Sequence, residues 1–257
     1  MHPILFRIGP LSIKSWGTMF VLGFLLALYL AMRRARKVGI APENILNLSF
    51  LLLVAGLVGA RILEILVNFA YYWRNPQEIF FISQGGLVFY GGFILALLVG
   101  IWYLRRKKLP VWKVLDIIAP FTILAYAVAR WGCFLAGCCY GKPTSLPWGV
   151  TFRDPLSLVP LEMRGIPLHP TQIYHSLEGF LIFSILLIVY PRRRFDGEIF
   201  WLLVVLYSIT RFLLEFLRGD VARGFIFVFS TSQFISLLMI PVAVLMLWWL
   251  HRQSPGN

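Results

Sequence analysis

Residues 114–136 read VLDIIAPFTILAYAVARWGCFLA, a stretch in which only Asp116 and Arg130 carry charge. A run of this length can cross a bilayer as a helix, because about 20 apolar residues span the hydrocarbon core. Helix is the conformation to expect, since a single span must satisfy its backbone hydrogen bonds within itself. Six more apolar stretches occur along the chain, which is therefore predicted to be an all-α polytopic membrane protein.

The composition indicates the same class. Hydrophobic residues make up 59% of the chain and charged residues 14%, with a mean hydropathy of +0.79, which excludes an ordinary soluble domain. We predict a single membrane domain over residues 1–257, with seven transmembrane helices. Their predicted bounds are 16–32, 45–68, 86–104, 114–136, 171–190, 197–217 and 227–250.

The longest connection lies between the fourth and fifth predicted helices. Residues 137–170 contain six prolines, and the segment is too long for a simple link. Within it, WGVTF at 148–152 reads as a short strand. The sequence therefore predicts a small ordered head between helices 4 and 5.

The basic residues give the predicted orientation. The connections 33–44, 105–113 and 191–196, together with the C-terminal tail, hold 13 Lys and Arg residues, against 8 in the opposite set. The positive-inside rule places the richer set in the cytoplasm, so the N-terminus and the head are predicted outside and the C-terminus inside. Because the net charge of +13 resides largely in these loop clusters, the predicted partner is a lipid bilayer and not nucleic acid.

Three arginines, Arg61, Arg130 and Arg211, lie within the predicted spans. A charged side chain at membrane depth costs roughly 2.5–3.5 kcal/mol or more, so it is retained where it faces a protein interior or a wet cavity. With the predicted orientation, all three lie in the outer half of the bilayer. The same depth is predicted for Trp16, Tyr90, His175 and Glu178. We therefore expect one pocket with a cationic floor in the outer leaflet.

The first candidate motif is RWGCFLAGCCYG at 130–141. The glycines Gly132 and Gly141 would let the backbone approach a ligand closely, and Arg130 offers a planar fork that suits phosphate. Cys133 lies on the same wall. The alternative is helix packing through small residues, with Arg130 reaching to the interface.

The second candidate motif is RFLLEFLR at 211–218. Arg211, Glu215 and Arg218 share one helix face, so Glu215 can orient either guanidinium group. The alternative is an ion-pair ladder with a purely structural role. A similar pair, Arg61 with Glu64, lies three residues apart on the second span, and there the structural interpretation is favoured.

Two further motifs open the third and fifth spans. The segment GGLVFYGG at 85–92 places Tyr90 between glycine pairs, and Gly91 and Gly92 suit either a ligand site or a close helix crossing. The segment HPTQIY at 169–174 predicts the start of a helix, with Gln172 and Tyr174 as candidate binding residues.

Three cysteines, Cys133, Cys138 and Cys139, fall within seven residues. An odd, clustered set is not a disulfide framework, and a disulfide between adjacent cysteines would be strained. Free cysteine is most often a small buried hydrophobe. The spacing therefore predicts neither redox chemistry nor a metal site, and no cofactor.

Together these segments resemble the prolipoprotein diacylglyceryl transferase family of bacterial inner membranes. The resemblance runs along almost the whole chain and is specific in order and spacing. It rests on FRIGP at 6–10, WG at 16–17, GAR at 59–61, YGG at 90–92 and the motifs at 130–141, 169–174 and 211–218.

The resemblance implies an enzyme that moves the diacylglyceryl group of phosphatidylglycerol to the lipobox cysteine in the signal peptide of a prolipoprotein. The products would be a thioether-linked lipoprotein and glycerol phosphate. It also implies that Arg130 binds the phospholipid phosphate, that Arg211 is essential, and that the site lies in the outer leaflet of the inner membrane.

The chain differs from the family pattern at four positions. Trp16 replaces a usual tyrosine, Tyr90 a usual histidine, and Cys133 and Cys138 a usual asparagine and glutamate. The histidine is a proposed catalytic residue of the family, which makes Tyr90 a candidate, although a tyrosine with a pKa near 10 is a poor base. Two alternatives stay open: a paralogue that binds the same lipid but uses another acceptor or none, and a lipid or anion transporter.

Overall fold

The computed structural model describes residues 2–9, 11–80, 88–220, 224–226 and 228–254 of the 257-residue chain. Gly85 and Gly86, from the motif at 85–92, lie outside these ranges. The chain divides into two compact units, residues 1–30 with 115–257, and residues 31–114. Each is described separately below.

Helices dominate the described part of the chain, and each of the seven predicted spans corresponds to one helix with ends shifted by a few residues. The short α3 was not predicted. The eight helices are α1 Ser15–Lys37, α2 Pro42–Val67, α3 Phe69–Arg74, α4 Phe89–Arg106, α5 Val111–Ala136, α6 Thr171–Val189, α7 Glu198–Glu215 and α8 Thr231–Gln253.

Five of these helices are long and apolar enough to cross a membrane: α1, α2, α5, α6 with its extension to Arg192, and α8. The all-helical, multi-pass membrane class is therefore confirmed. Helices α4 and α7 have 18 residues each, and α7 carries Glu198, Arg211 and Glu215. The count of seven spans stays a prediction.

The exposed side chains of the long helices are those of a protein surrounded by lipid. On α8, Leu238, Leu245 and Trp248 are each more than half exposed. Soluble proteins rarely expose contiguous apolar faces of this kind. Exposed apolar side chains of this kind are suited to contact with the hydrocarbon core of a bilayer.

The strands are short and pair as three antiparallel hairpins. Strands β1 Ile4–Ile8 and β2 Leu11–Lys14 form a hairpin that sequence analysis missed, with Gly9 at φ +57° in its turn. In the head, β3 Val150–Thr151 pairs with β4 Pro167–Leu168, so only part of the predicted strand at 148–152 is paired. The third hairpin joins β5 Phe225–Ile226 to β6 Phe229–Ser230.

In the unit formed by residues 31–114, α2 and α4 cross at glycines. A Cβ added to Gly92 would lie 2.5 Å from the carbonyl oxygen of Gly56, and Gly59 and Gly91 face one another as closely. The close helix crossing therefore explains Gly91 and Gly92. It is one of the two roles that the sequence left open for them, the other being a ligand site. Tyr90 is 43% exposed on the first turn of α4. Substrate contact at these three positions stays a prediction.

Arg61 in the same unit is buried and bound to backbone. Its Nε donates a hydrogen bond to the carbonyl oxygen of Ile79 at 3.0 Å, and its Nη2 donates to that of Glu78. Glu64 accepts a hydrogen bond from Asn68 at 2.8 Å. These contacts support the structural role that the sequence favours for Arg61.

In the other unit, Asp116 of α5 caps the start of α7. The carboxylate accepts hydrogen bonds from the backbone N–H groups of Gly197 at 2.8 Å and Phe200 at 2.9 Å. Gly197, the N-cap residue of α7, makes no side-chain cap of its own. Because Asp116 is fully buried, it satisfies two backbone donors that water cannot reach.

We predict that Asp116→Ala lowers the free energy of unfolding by about 3 kcal/mol, since it removes two charge-assisted hydrogen bonds and leaves buried N–H groups unpaired. Thermal unfolding in detergent measures this. Asp196→Ala is the matched control, because that side chain is 47% exposed, and it should change the midpoint little. Equal midpoints for both variants would show that the cap at Asp116 contributes no stability.

Candidate active site

The polar residues of the larger unit gather where several helices begin or end. A Cβ on Gly132, near the end of α5, would lie 2.7 Å from the Cα of Trp16 at the start of α1. Near the end of α7, Arg211 donates from Nη2 to the hydroxyl of Ser232, on the first turn of α8, at 3.0 Å. Within this unit the end of α5 thus lies beside the start of α1, and the end of α7 lies beside the start of α8. The predicted pocket in the outer leaflet, with its extension to Arg61 and Tyr90 of the other unit, stays a prediction.

Backbone hydrogen bonds join the loop after α5 to the segments before α6 and after α7. Gly141 N donates to His169 O at 3.0 Å, and Lys142 N donates to Leu217 O at 2.9 Å. Gly141 also forms an isolated bridge with Arg218. A Cβ at Gly141 would lie 2.5 Å from the carbonyl oxygen of His169, so the position requires glycine.

The end of α5 turns the cysteine segment back toward the helix. Gly137, at φ +78°, donates to Phe134 O at 3.3 Å, and Cys138 N donates to Cys133 O at 3.1 Å. This is the Schellman pattern that ends helices at a left-handed glycine. Cys139 follows at φ +56°, a left-handed conformation that costs a residue with a side chain roughly 1–2 kcal/mol.

Two side chains at the start of α6 hold this turn in place. Thr171 Oγ1 donates to Cys139 O, and Gln172 Nε2 donates to Cys138 O, both at 2.7 Å. The helix begins at Thr171, as predicted. The N-cap residue is Pro170, without a side-chain cap, and the side chains of Thr171 and Gln172 bind the neighbouring loop. In the described part of the chain, the buried Oε1 of Gln172 has no hydrogen-bond partner.

The turn brings the three thiols together. The sulfur atoms of Cys133, Cys138 and Cys139 all lie within 4.8 Å of one another, and each side chain is partly buried. Hydrogen bonds from Cys133 and Cys138, with the positive charges of Arg130 and Arg218, lower the pKa of Cys139 below its ordinary value. Sequence analysis found the three cysteines clustered along the chain but predicted no metal site, because spacing alone does not show the left-handed turn at Cys139 that accompanies this arrangement of the sulfur atoms.

Arg130 stands out by its lack of a counter-charge. Its guanidinium group lies over the ring of Tyr126, 4.5 Å from the centroid. Within the described ranges, no carboxylate oxygen lies within 4.0 Å of Arg130 and no hydrogen bond is formed by its side chain. The buried hydroxyl of Tyr126 has no partner among the described residues either. A poorly solvated cation of this kind favours an anionic ligand.

Arg211 and Arg218, in contrast, are paired. Glu215 lies 2.9 Å from Arg211 Nη1 and 4.0 Å from Arg218 Nη1, within ion-pair distance of both guanidinium groups. Helix α7 ends at Glu215, so the prediction that all three residues share one helix face is wrong for Arg218, which follows the helix. Asp220 binds Arg218 in a bidentate manner, at 2.7 and 3.1 Å. Burial lowers the pKa of Arg218, but the bond to Asp220 and the charges of Cys139, Asp220 and Glu215 raise it, and the net direction is upward.

A buried histidine–glutamate pair lies behind Arg211. His175 Nδ1 lies 2.8 Å from a carboxylate oxygen of Glu178, whose second oxygen accepts a hydrogen bond from Thr210. His175 Nε2 lies 3.3 Å from Arg211 Nη1. Because a carboxylate accepts, Nδ1 carries the proton and Nε2 presents its lone pair to the guanidinium. The sequence placed His175 and Glu178 at this depth but assigned them no role.

Tyr174, a predicted binding residue, joins the head to α6. Its hydroxyl accepts a hydrogen bond from Trp148 Nε1 at 2.8 Å and lies 3.3 Å from His169 Nδ1. The head has its own small core, formed by Tyr140, Phe152, Val159 and Leu168. These contacts give Tyr174 a structural role, and its contact with substrate stays a prediction.

The fold and this site define a helical membrane protein in which Arg130, near the end of α5, has no carboxylate partner among the described residues, an arrangement suited to an anionic lipid. The family model for prolipoprotein diacylglyceryl transferase matches residues 3–249. The chain therefore belongs to the prolipoprotein diacylglyceryl transferase family.

Individual relatives match over nearly their full lengths. A protein from Clostridium tetani named phosphatidylglycerol–prolipoprotein diacylglyceryl transferase is 40% identical over 244 residues, covering 95% of this chain and 96% of that protein. Proteins of the same name from Geobacter sulfurreducens and Finegoldia magna are 33% and 34% identical, covering 100% and 96% of this chain and 98% and 94% of theirs.

Proposed function

We propose that this chain transfers the diacylglyceryl group of phosphatidylglycerol to a cysteine thiol in the signal peptide of prolipoproteins, the activity named for its relatives. The observation that carries the assignment of the site is Arg130, a poorly exposed guanidinium with no carboxylate partner among the described residues. Family membership over nearly the whole chain does not favour the paralogue with another acceptor or the transporter.

The reaction is a displacement at carbon. The acceptor sulfur attacks the glycerol carbon that bears the phosphate ester, so a C–S bond forms as the C–O bond breaks. The electron pair leaves with the oxygen of glycerol phosphate, and the thiol proton is released. The phosphate passes from one negative charge toward two, and a fixed cation that meets this developing charge lowers the barrier.

Arg130 is the residue that we assign to this phosphate. The ring of Tyr126 below the guanidinium restrains its plane through a cation–π contact, while the N–H edges stay available for phosphate oxygens. The buried Oε1 of Gln172 is suited to accept a hydrogen bond from a hydroxyl of the glycerol head group, which would favour phosphatidylglycerol over lipids without such a hydroxyl.

Arg211 supplies the second positive charge, and side-chain contacts fix its position. Its Nη1 lies 2.9 Å from a carboxylate oxygen of Glu215 and 3.3 Å from His175 Nε2, and its Nη2 donates to Ser232 at 3.0 Å. Because a guanidinium has five N–H donors, the contacts within the described chain leave donors for a ligand. In this scheme His175 is a positioning residue: its lone pair is directed at Arg211, so we do not assign it as the base. Arg218 contributes through Glu215, which it shares with Arg211.

The acceptor thiol needs to become a thiolate before it attacks. The positive field of Arg130 and Arg211 would lower the pKa of a thiol bound beside them, which reduces the need for a strong dedicated base. This accounts for a family member that has Tyr90 at the usual histidine position.

We also propose that the chain spans the inner membrane seven times, with its N-terminus outside and the site in the outer leaflet. The basic connections 33–44, 105–113 and 191–196 support this orientation. The placement suits a reaction between an outer-leaflet lipid and an exported signal peptide.

Arg130→Ala and Arg211→Ala should each reduce transfer by about a hundredfold or more, equivalent to about 3 kcal/mol, because a charge-assisted contact that strengthens in the transition state is lost. Lysine should rescue poorly at either position, since the planar fork is absent. The assay follows labelled phosphatidylglycerol with a lipobox peptide. Arg153→Ala, at an exposed arginine of the head, is the control. Near-normal turnover in either test variant would make that arginine structural.

The substitutions His175→Gln and His175→Asn distinguish a role in positioning Arg211 from a role in packing alone. Gln places an acceptor near the position of Nε2 and keeps the bond from Arg211, whereas Asn keeps a donor to Glu178 but loses that acceptor. We predict that His175→Asn lowers kcat about tenfold and that His175→Gln retains most of it, with both variants equally stable. If both variants lose kcat to the same extent, His175 does not act through Arg211.

The orientation has a direct test with topology reporters. Fusions after residues 38, 108 and 193 should report the cytoplasm, and a fusion near residue 150 should report the outside, as the distribution of basic residues requires. A cytoplasmic signal near residue 150 would reverse the orientation and move the site to the inner leaflet.

A further inference from the structure

We propose that Cys133, Cys138 and Cys139 form a binding site for a thiophilic divalent metal ion such as Zn²⁺. The three sulfur atoms lie within 4.8 Å of one another at the end of α5. The proposed transfer reaction uses none of them, since its nucleophilic sulfur belongs to the acceptor peptide. Three converging thiols without an assigned task are the strongest unexplained cluster in the described part of the chain.

The spacing of the sulfur atoms suits a metal ion. A Zn–S bond is about 2.3 Å long, so two sulfur ligands of a tetrahedral ion lie about 3.8 Å apart. The observed separations of up to 4.8 Å exceed this by about 1 Å, a difference that small side-chain rotations can remove. Thiolate ligands select soft metals over Mg²⁺ or Ca²⁺. Three protein ligands leave a fourth position for water or another donor.

The backbone around the cluster is already arranged. Cys139 adopts a left-handed conformation that is unfavourable for a residue with a side chain, and it follows the turn that returns Cys138 to the last turn of α5. Thr171 and Gln172 fix the carbonyl groups of Cys139 and Cys138 at 2.7 Å. The sulfur atoms are thus brought together by the fold, which limits the ordering needed when an ion binds.

Charge gives a second, independent argument. Arg211 and Arg218 are matched by Glu215 and Asp220, so the net charge of that group is zero. A metal ion displaces the protons of its cysteine ligands, so three thiolates with a divalent ion carry a single negative charge. Arg130 is the nearby cation without a carboxylate partner in the described ranges. Metal, thiolates and Arg130 together would be neutral, which favours the complex where burial weakens solvation.

The charge balance between the metal–thiolate group and Arg130 also links the metal site to lipid binding. This part of the inference rests on the proposed function. A metal–thiolate group with net negative charge would attract Arg130 and compete with the phosphate of the lipid. Occupancy of the site should therefore raise the KM for phosphatidylglycerol while the fold stays intact.

The test uses the purified, reduced full-length chain in detergent, with Zn²⁺ and, as a spectroscopic substitute, Co²⁺. We expect one ion per chain after gel filtration, a thiolate-to-cobalt charge-transfer band, and protection of all three thiols from alkylation by intact mass. Cys133→Ser, Cys138→Ser and Cys139→Ser should each weaken binding at least tenfold. His251→Ala removes a possible zinc ligand outside the cluster and should leave binding unchanged.

Metal binding and its effect on the KM are tested by separate measurements. Zinc that remains bound in the triple Ser variant, or wild-type thiols that alkylate equally with and without zinc, would overturn the site, and neither measurement needs transferase activity. If zinc binds with the expected dependence on the three cysteines but the KM is unchanged, the competition with phosphate is overturned and the metal site stands.

Discussion

A guanidinium group inside a bilayer has to be matched by protein or ligand, because its insertion costs several kcal/mol when it is left alone. Most of the polar architecture near the helix ends of the larger unit follows from this constraint. Glu215 and Asp220 neutralise Arg211 and Arg218, and His175 adds an uncharged acceptor. Among the described residues Arg130 has no carboxylate partner, and its guanidinium group lies over the ring of Tyr126. This is the charge that we propose an anionic substrate balances.

Arg211 and Arg130 consequently differ in how firmly neighbouring side chains hold them. Arg211 is restrained on both η nitrogens by side chains from three helices, so its position is set by the scaffold before substrate arrives. Arg130 has no such restraint among the described residues beyond the ring of Tyr126. A fixed charge is suited to stabilising a transition state without reorganisation, and an adaptable one is suited to gripping a phosphate that changes geometry as it leaves.

The sequence was sufficient to place the long helices because hydrophobic length is a local property, while the number of them that cross the membrane stays a prediction. Each of the seven predicted spans corresponds to a helix, and the i, i+4 spacing of Arg211 and Glu215 was enough to predict their contact. Features that depend on where the chain turns were missed. The cap that Asp116 provides for α7 and the bond between His175 and Arg211 join segments that are far apart in the sequence. The hairpin of β1 and β2 is local, and its turn at Gly9 was not recognised. The cysteines were recognised as clustered along the chain, but the convergence of their sulfur atoms was not predicted, because it depends on the turn after α5 and on the left-handed backbone at Cys139.

The turn after α5 also shows how structure and chemistry constrain each other. Cys139 holds an unfavourable conformation that Thr171 and Gln172 stabilise by binding two consecutive carbonyl groups. Helix α6 starts without a side-chain cap, because its N-cap residue is Pro170. The first two residues of the helix thus bind the turn that carries the thiols. Strain of this kind persists only where the surrounding structure fixes it, and it is concentrated at functional sites. The geometry of this turn is therefore better explained by what it positions than by the stability of the helices it connects.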